Sequence, residues 1–362
     1  MKFMKKQSSR AEITPHSFEN EYHFGDFRGD AAEMLRRGYD IHFHYANFGI
    51  RKVMIRFAGG LPNLEAIDPY LADEGIVLLE DKNGPGVILE INPSYDGGSF
   101  DDDLDPGGLI DELLPLRDEI LAGDLRPWYL ARLATGNDYN NDPDEVVEGP
   151  IPAGLGQLTP AQLALAHVYG LSESLLQAAA KNSLPLPEAK NADNNYLAWL
   201  EKQPEKARNA WLAKLMKDAS SKVRSEMLGE FRGQQALPPW PTTPGTRTIT
   251  DLNAAAEALR HEATQKLVAA AAKKRKEHLA KMVANPESFL KESAKLAEKR
   301  DYTGVATLLV DLREALAGTP LANLAAEQAQ QLKNDYPTLK YLTSALRKVG
   351  FVPKEVKPKA KK

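Results

Sequence analysis

The chain has 362 residues, 43% hydrophobic and 27% charged, the balance of an ordinary folded protein with room for about two or three cores. It contains no cysteine, which excludes disulfides, thiol catalysis and cysteine-ligated zinc but leaves a histidine/carboxylate metal site open. The net charge of −4 conceals a gradient, because residues 1–150 carry −15, residues 151–246 carry +2 and residues 247–362 carry +9. An acidic front and a basic rear suit either self-packing or an anionic partner for the rear. The apolar runs fall short of the ~18 residues that cross a bilayer, and MKFMKKQSSR has no apolar signal core; the expected address is cytoplasmic, with no membrane partner.

In chain order, alternating apolar and polar residues predict extended chain over residues 11–14 and 18–24. Asp30 starts a helix that runs through Arg37, with Glu33 three positions on completing a capping box. Residues 41–45 and 52–57 alternate as two strands around Ala-Asn-Phe-Gly, and residues 75–80 and 86–91 form a second hairpin around Asp-Lys-Asn-Gly-Pro. About five strands are expected. Residues 92–108 are an acidic, turn-rich loop in which Asp101, Asp102, Asp103 and Asp105 invite a calcium reading. Pro106 occupies the position where a calcium loop needs glycine, so a solvated loop is preferred. Helical spacing resumes over residues 109–134, with Pro127 starting or kinking a turn.

Glycine, proline and polar residues make 135–158 a linker. Thr159 then caps a helix with Pro160 at its first position, and further helices follow near 172–182, 194–203, 205–217 and 219–232. A proline-rich linker over 237–249 leads to a long helix, capped by Thr250, from Asp251 to about Val283, which Asn285-Pro286 ends. Helices near 286–299, 302–317, 320–335 and 337–348 precede a charged tail. The expected class is α+β: a mixed or antiparallel sheet domain with a closing helix (1–134), the linker, a helical domain (159–236), the proline-rich linker, a repeat-like all-α region (250–350) and a disordered basic tail (351–362).

His42 and His44 are two apart on a predicted strand and so share a face; with His23 on the preceding run they form a candidate metal set, to which Asp26 or Asp40 adds a carboxylate. The plainer reading is that these imidazoles are satisfied beside Tyr22, Phe43 and Tyr45. Acid–base work by His23 with Asp26 is a further option. Phosphate-loop, nucleophile-elbow, HExxH and kinase patterns are absent, so no catalytic residue and no cofactor are assigned. Lys273, Lys274, Arg275, Lys276 and Lys281 on the long helix are candidate phosphate contacts, against the bland alternative of a solvated helix face. Trp240 and Tyr341 are candidate interface anchors, whereas Trp199 and Trp211 fit core packing.

The segments SSRAEITP, NEYHFGDFRGD, DIHFHYANFGIRKVMIRF and LLPLRDEILAGDLRPWYLARL resemble an uncharacterised family of bacterial proteins, over most of the chain. Relative to that family the start is shorter by a strand and a helix. The segments DYTGVATLLVDLREALAG and YPTLKYLTSALRKVGF are similar to the C-terminal helices of some bacterial SWIM zinc-finger proteins, and to tetratricopeptide-like pairs. The zinc ligands of those proteins are cysteines and do not carry over. The resemblance implies architecture rather than chemistry. The favoured expectation is a non-enzymatic cytosolic adaptor that joins another protein through its helical half, near DNA-acting machinery. The alternatives are a nucleic-acid-binding protein that uses the basic helix and tail, and a histidine-dependent metalloenzyme.

Overall fold

The computed structural model describes residues 2–8, 11–14, 17–21, 26–46, 49–71, 75–82, 86–94, 108–138, 141–186, 196–217, 223, 227, 230–231 and 239–353. The chain divides into two compact units, residues 1–260 and 261–362.

In the first unit, helix α1 (Met4–Gln7) and the paired strands β1 (Glu12–Ile13) and β2 (Phe18–Glu19) precede helix α2 (Ala31–Arg37). The Asp30 carboxylate accepts from the Glu33 amide at 2.8 Å, satisfying one of the orphan donors of the first turn. The other half of the predicted capping box does not form. The Asp30 amide donates to Gln7 Oε1 at 2.8 Å, and Glu33 is occupied by Arg37 at 2.6 Å.

Strands β3 (Ile41–Ala46), β4 (Ile50–Phe57), β5 (Ile76–Glu80) and β6 (Val87–Ile91) make an antiparallel sheet in the order β3-β4-β6-β5. The sequence predicts about five strands; among the described residues six form in this part of the chain, four in this sheet and β1 and β2 in a two-stranded sheet of their own. His42 lies opposite Met54, and Met54 lies opposite Glu90. A side-chain period of two then sorts the faces. Val53, Ile55, Phe57, Leu89 and Ile91 enter the main core, whereas Met54 and Ile88 lie on the other face, where Leu35 of α2 covers them. His42, His44, Lys52 and Glu90 share that second face by register.

Helices α3 (Leu64–Ile67), α4 (Leu109–Leu113), α5 (Pro115–Leu121) and α6 (Arg126–Gly136) follow, with Pro127 in the first turn of α6. Trp128, Tyr129 and Leu130 of α6 are fully buried in the main core. Helix α7 (Pro160–Val168) opens with the Thr159–Gln162 capping box, and α8 (Glu173–Ala180) with Ser172 as its cap. Helices α9 (Tyr196–Lys202) and α10 (Glu205–Lys217) stack Trp199 on Trp211, centroids 5.2 Å apart.

Both predicted linkers belong to the first unit. Ile151, Ala153 and Leu155 are buried, and β7 (Ile151–Pro152) pairs with β8 (Thr242–Thr243). Their glycine, proline and carboxylate content reads as solvated chain, but the polar groups are satisfied internally: buried Glu148 accepts from Tyr129 and Arg247. Helix α11 (Ile249–Ala284) is capped by Thr248 rather than Thr250. The Thr248 hydroxyl accepts from the Asp251 amide at 3.1 Å, and the Asp251 carboxylate accepts from the Thr248 amide at 3.0 Å.

The second unit holds the distal part of α11 with α12 (Pro286–Glu298), α13 (Tyr302–Ala315), α14 (Leu324–Asp335) and α15 (Lys340–Lys348). Asn285 caps α12, with Pro286 at its first position, and Asp301 caps α13 through the Gly304 amide at 2.9 Å. Met282, Leu309, Leu312, Leu332, Leu342 and Leu346 close a separate core. Among the described residues no helix is long and apolar enough to cross a membrane. His23, the acidic run Asp101 to Asp105, the tail 354–362 and most of the helix predicted near 219–232 lie outside the described residues.

Candidate functional site

Two surfaces carry the residues that the sequence singles out. The first is a cleft of about 540 Å³ on the outer face of the N-terminal sheet, beside α2. Its floor is His42 and His44 from β3, Ile50, Lys52 and Met54 from β4, and Glu90 and Asn92 from the end of β6; residues 26–32 form its wall. His44 Nε2 lies 2.8 Å from Asp26 Oδ1. A carboxylate accepts, so Nε2 carries the hydrogen and, in the neutral ring, Nδ1 is left as an acceptor. Lys52 Nζ meets Glu90 Oε1 at 3.2 Å across the β4–β6 pair. The Phe27 ring lies 5.8 Å from His42 and 6.3 Å from His44.

His42 differs from its neighbour. Its side chain is half-buried and has no hydrogen-bond partner among the described residues. Burial, reinforced by the charges of His44 and Lys52, pushes its pKa down to about 4. At neutral pH it is therefore an uncharged imidazole that offers one donor and one acceptor to the cleft.

The structure brings His42 and His44 together, as their two-residue spacing requires, with ring centroids 6.3 Å apart. Two imidazoles on one tetrahedral ion stand with centroids about 5 Å apart, so these rings are splayed for a shared metal. Asp26 is engaged by His44 and Glu90 by Lys52. Among the described residues no three of His, Asp and Glu converge on a point that could hold an ion.

The second surface is the outward side of α11. Arg275 NH2 donates to Asp311 at 2.8 Å and to Glu314 at 2.6 Å, both on α13, and His278 Nε2 stands 3.7 Å from Asp311. With Met282 buried seven residues after Arg275, these contacts fix the inward side of the helix. Lys273, Lys274, Lys276 and Lys281 are exposed, and Lys274 and Lys281 lie two turns apart on nearly the same line. Glu277 interrupts the face, and Lys266 is paired with Glu262 at 2.6 Å. Of the five basic residues selected from the sequence, four point to solvent; Arg275 is committed to α13.

No protein-family model, curated protein or solved structure matches the chain. Function is therefore argued from the chemistry of these surfaces alone.

Trp240 serves the first unit. Its Nε1 donates to the Ala153 carbonyl at 3.2 Å, and its ring lies 5.4 Å from the Arg126 guanidinium, itself held by Asp124. Tyr341, in contrast, is 80% exposed on α15. Sequence reasoning missed Phe27, Arg28, Lys52, Glu90 and Asn92 as cleft residues. Lys52 was within reach, since alternation along β4 puts it on the histidine face. Glu90 was not, because β6 reaches β4 only through the strand order.

Proposed function

We propose that this is a non-enzymatic, cytoplasmic binding protein whose C-terminal helical unit holds nucleic acid by its phosphates, without reading sequence. The observation that carries this is the Arg275 clamp onto Asp311 and Glu314. It leaves Lys273, Lys274, Lys276 and Lys281 facing solvent, a band of cations spread over nearly half of the helix circumference. Such a band meets phosphates as point charges, so affinity should be largely electrostatic.

Four neutralised phosphates imply a slope of about −3.6 in log affinity against log salt, or roughly a 150-fold loss between 50 and 200 mM. Fluorescence anisotropy with labelled duplex DNA and single-stranded RNA measures it. The K273E/K274E/K276E variant should lower the slope magnitude by about 2.7. Absent binding at 50 mM salt, or binding insensitive to salt, overturns the proposal.

A specific observation favours a second reading, a protein partner. Leu212 and Met216, 59% and 88% exposed, sit one turn apart on α10. Paired substitution of both by glutamate should abolish association with such a partner while leaving the salt slope for nucleic acid unchanged.

A further inference from the structure

We infer that the cleft beside α2 is a binding site for a mononucleotide: a planar heteroaromatic ring with a donor–acceptor edge, carrying one anionic group. This does not rest on the lysine face, which belongs to the other unit. The volume, about 540 Å³, falls in the range of small-molecule sites. The side chain that singles the cleft out is His42: it is half-buried, lines the cavity and has no partner among the described residues, so its ring nitrogens are open to the cleft and a ligand can replace the water they would otherwise bind.

The chemistry of the lining narrows the ligand. His42 is neutral and Lys52 is neutralised by Glu90, so the floor has no free charge to offer a bare anion. A neutral imidazole and the Asn92 amide each present a donor and an acceptor, which suits the edge of a heterocyclic base. Phe27, His42 and His44 form a cluster of rings with centroids 5.8 to 6.3 Å apart and planes inclined by 39° to 74°, which a flat π-system can meet edge to face. The anionic group belongs at the rim, where Arg28 is exposed and has no acidic partner among the described residues. Asp26 and Glu90, both already engaged inside, would repel a phosphate placed deeper.

The test is calorimetric titration of the full chain in the K273E/K274E/K276E/K281E background, so that the lysine face is reversed in charge and its failure cannot be mistaken for failure of the cleft. AMP, GMP, CMP and UMP are compared with adenosine, ribose 5-phosphate and inorganic phosphate. At least one nucleotide should bind saturably at one site per chain. His42→Leu, at a half-buried position, should keep the fold and weaken that nucleotide about tenfold or more. Arg28→Ala, at an exposed position, should bring the nucleotide down to the affinity of its nucleoside, which keeps the proposal exposed to refutation even if the His42 variant fails to fold. The proposal is overturned if no nucleotide saturates, if ribose 5-phosphate binds equally well, or if neither substitution changes the affinity.

Discussion

Glu148→Ala tests how far one buried ion pair holds the first unit together. The Glu148 side chain is fully buried. It accepts from the Tyr129 hydroxyl and from Arg247 through Nε at 2.6 Å, NH2 at 2.8 Å and the backbone amide at 3.3 Å. Arg247 in turn donates to the Ala178 and Ala179 carbonyls at 2.7 and 3.2 Å, tying the approach to α11 against the end of α8. Desolvation and the Glu148 carboxylate hold the Tyr129 hydroxyl well above the ordinary tyrosine range, so it stays protonated and donating. Removing the carboxylate strands a half-buried guanidinium and that hydroxyl together, which costs about 3–5 kcal/mol. For a unit of this size the midpoint of thermal unfolding should fall by on the order of 10 °C. Urea denaturation followed by tryptophan fluorescence, sensitive to Trp128 and Trp240, measures the loss. The Glu148→Ala/Arg247→Ala pair should cost less than the two single changes added together, since the second no longer leaves a charge unpaired. A loss below about 1 kcal/mol for Glu148→Ala, or strict additivity, would refute the claim that this pair clasps the segment.

Three further outcomes follow from particular residues. His42, with its folded pKa near 4 against 6.5 in the unfolded chain, binds its proton later in the folded state. Stability should therefore be full above pH 6.5 and decline as pH falls toward 4, by about 3 kcal/mol at most; His42→Leu should flatten that part of a stability–pH curve, and an unchanged curve would remove the assignment. Gly245→Ala should destabilise the first unit by about 1–3 kcal/mol in urea titration, because its Cβ would stand 2.1 Å from the Gly149 carbonyl oxygen and neither backbone can yield. Arg275→Ala, at an exposed ion pair, should leave the urea midpoint of the second unit nearly unchanged and the salt slope for nucleic acid within about 0.5 of the parent value, whereas a larger change in slope would make Arg275 a phosphate contact.

Local patterns in the chain determine a good deal. Alternation set both hairpins and the shared face of His42 and His44, and the residue pairs Thr159–Pro160 and Asn285–Pro286 marked a helix start and a helix break. These features depend on neighbours a few residues away, which any reading of the sequence can weigh. The tertiary structure alone decided what depends on distant partners. Glu148 and Arg247 lie in stretches whose composition reads as two linkers, and only their 99-residue separation closing in space makes them core. Arg275 reads as one more cation in a basic run until Asp311 and Glu314 face it across α13. The cleft needs β6 to join β4 past β5, and needs Phe27 and Asp26 to fold over the sheet. Composition and periodicity therefore determined most of the helices and hairpins, while strand order and long-range ion pairs decided which charges are satisfied inside the fold and which stay open to solvent.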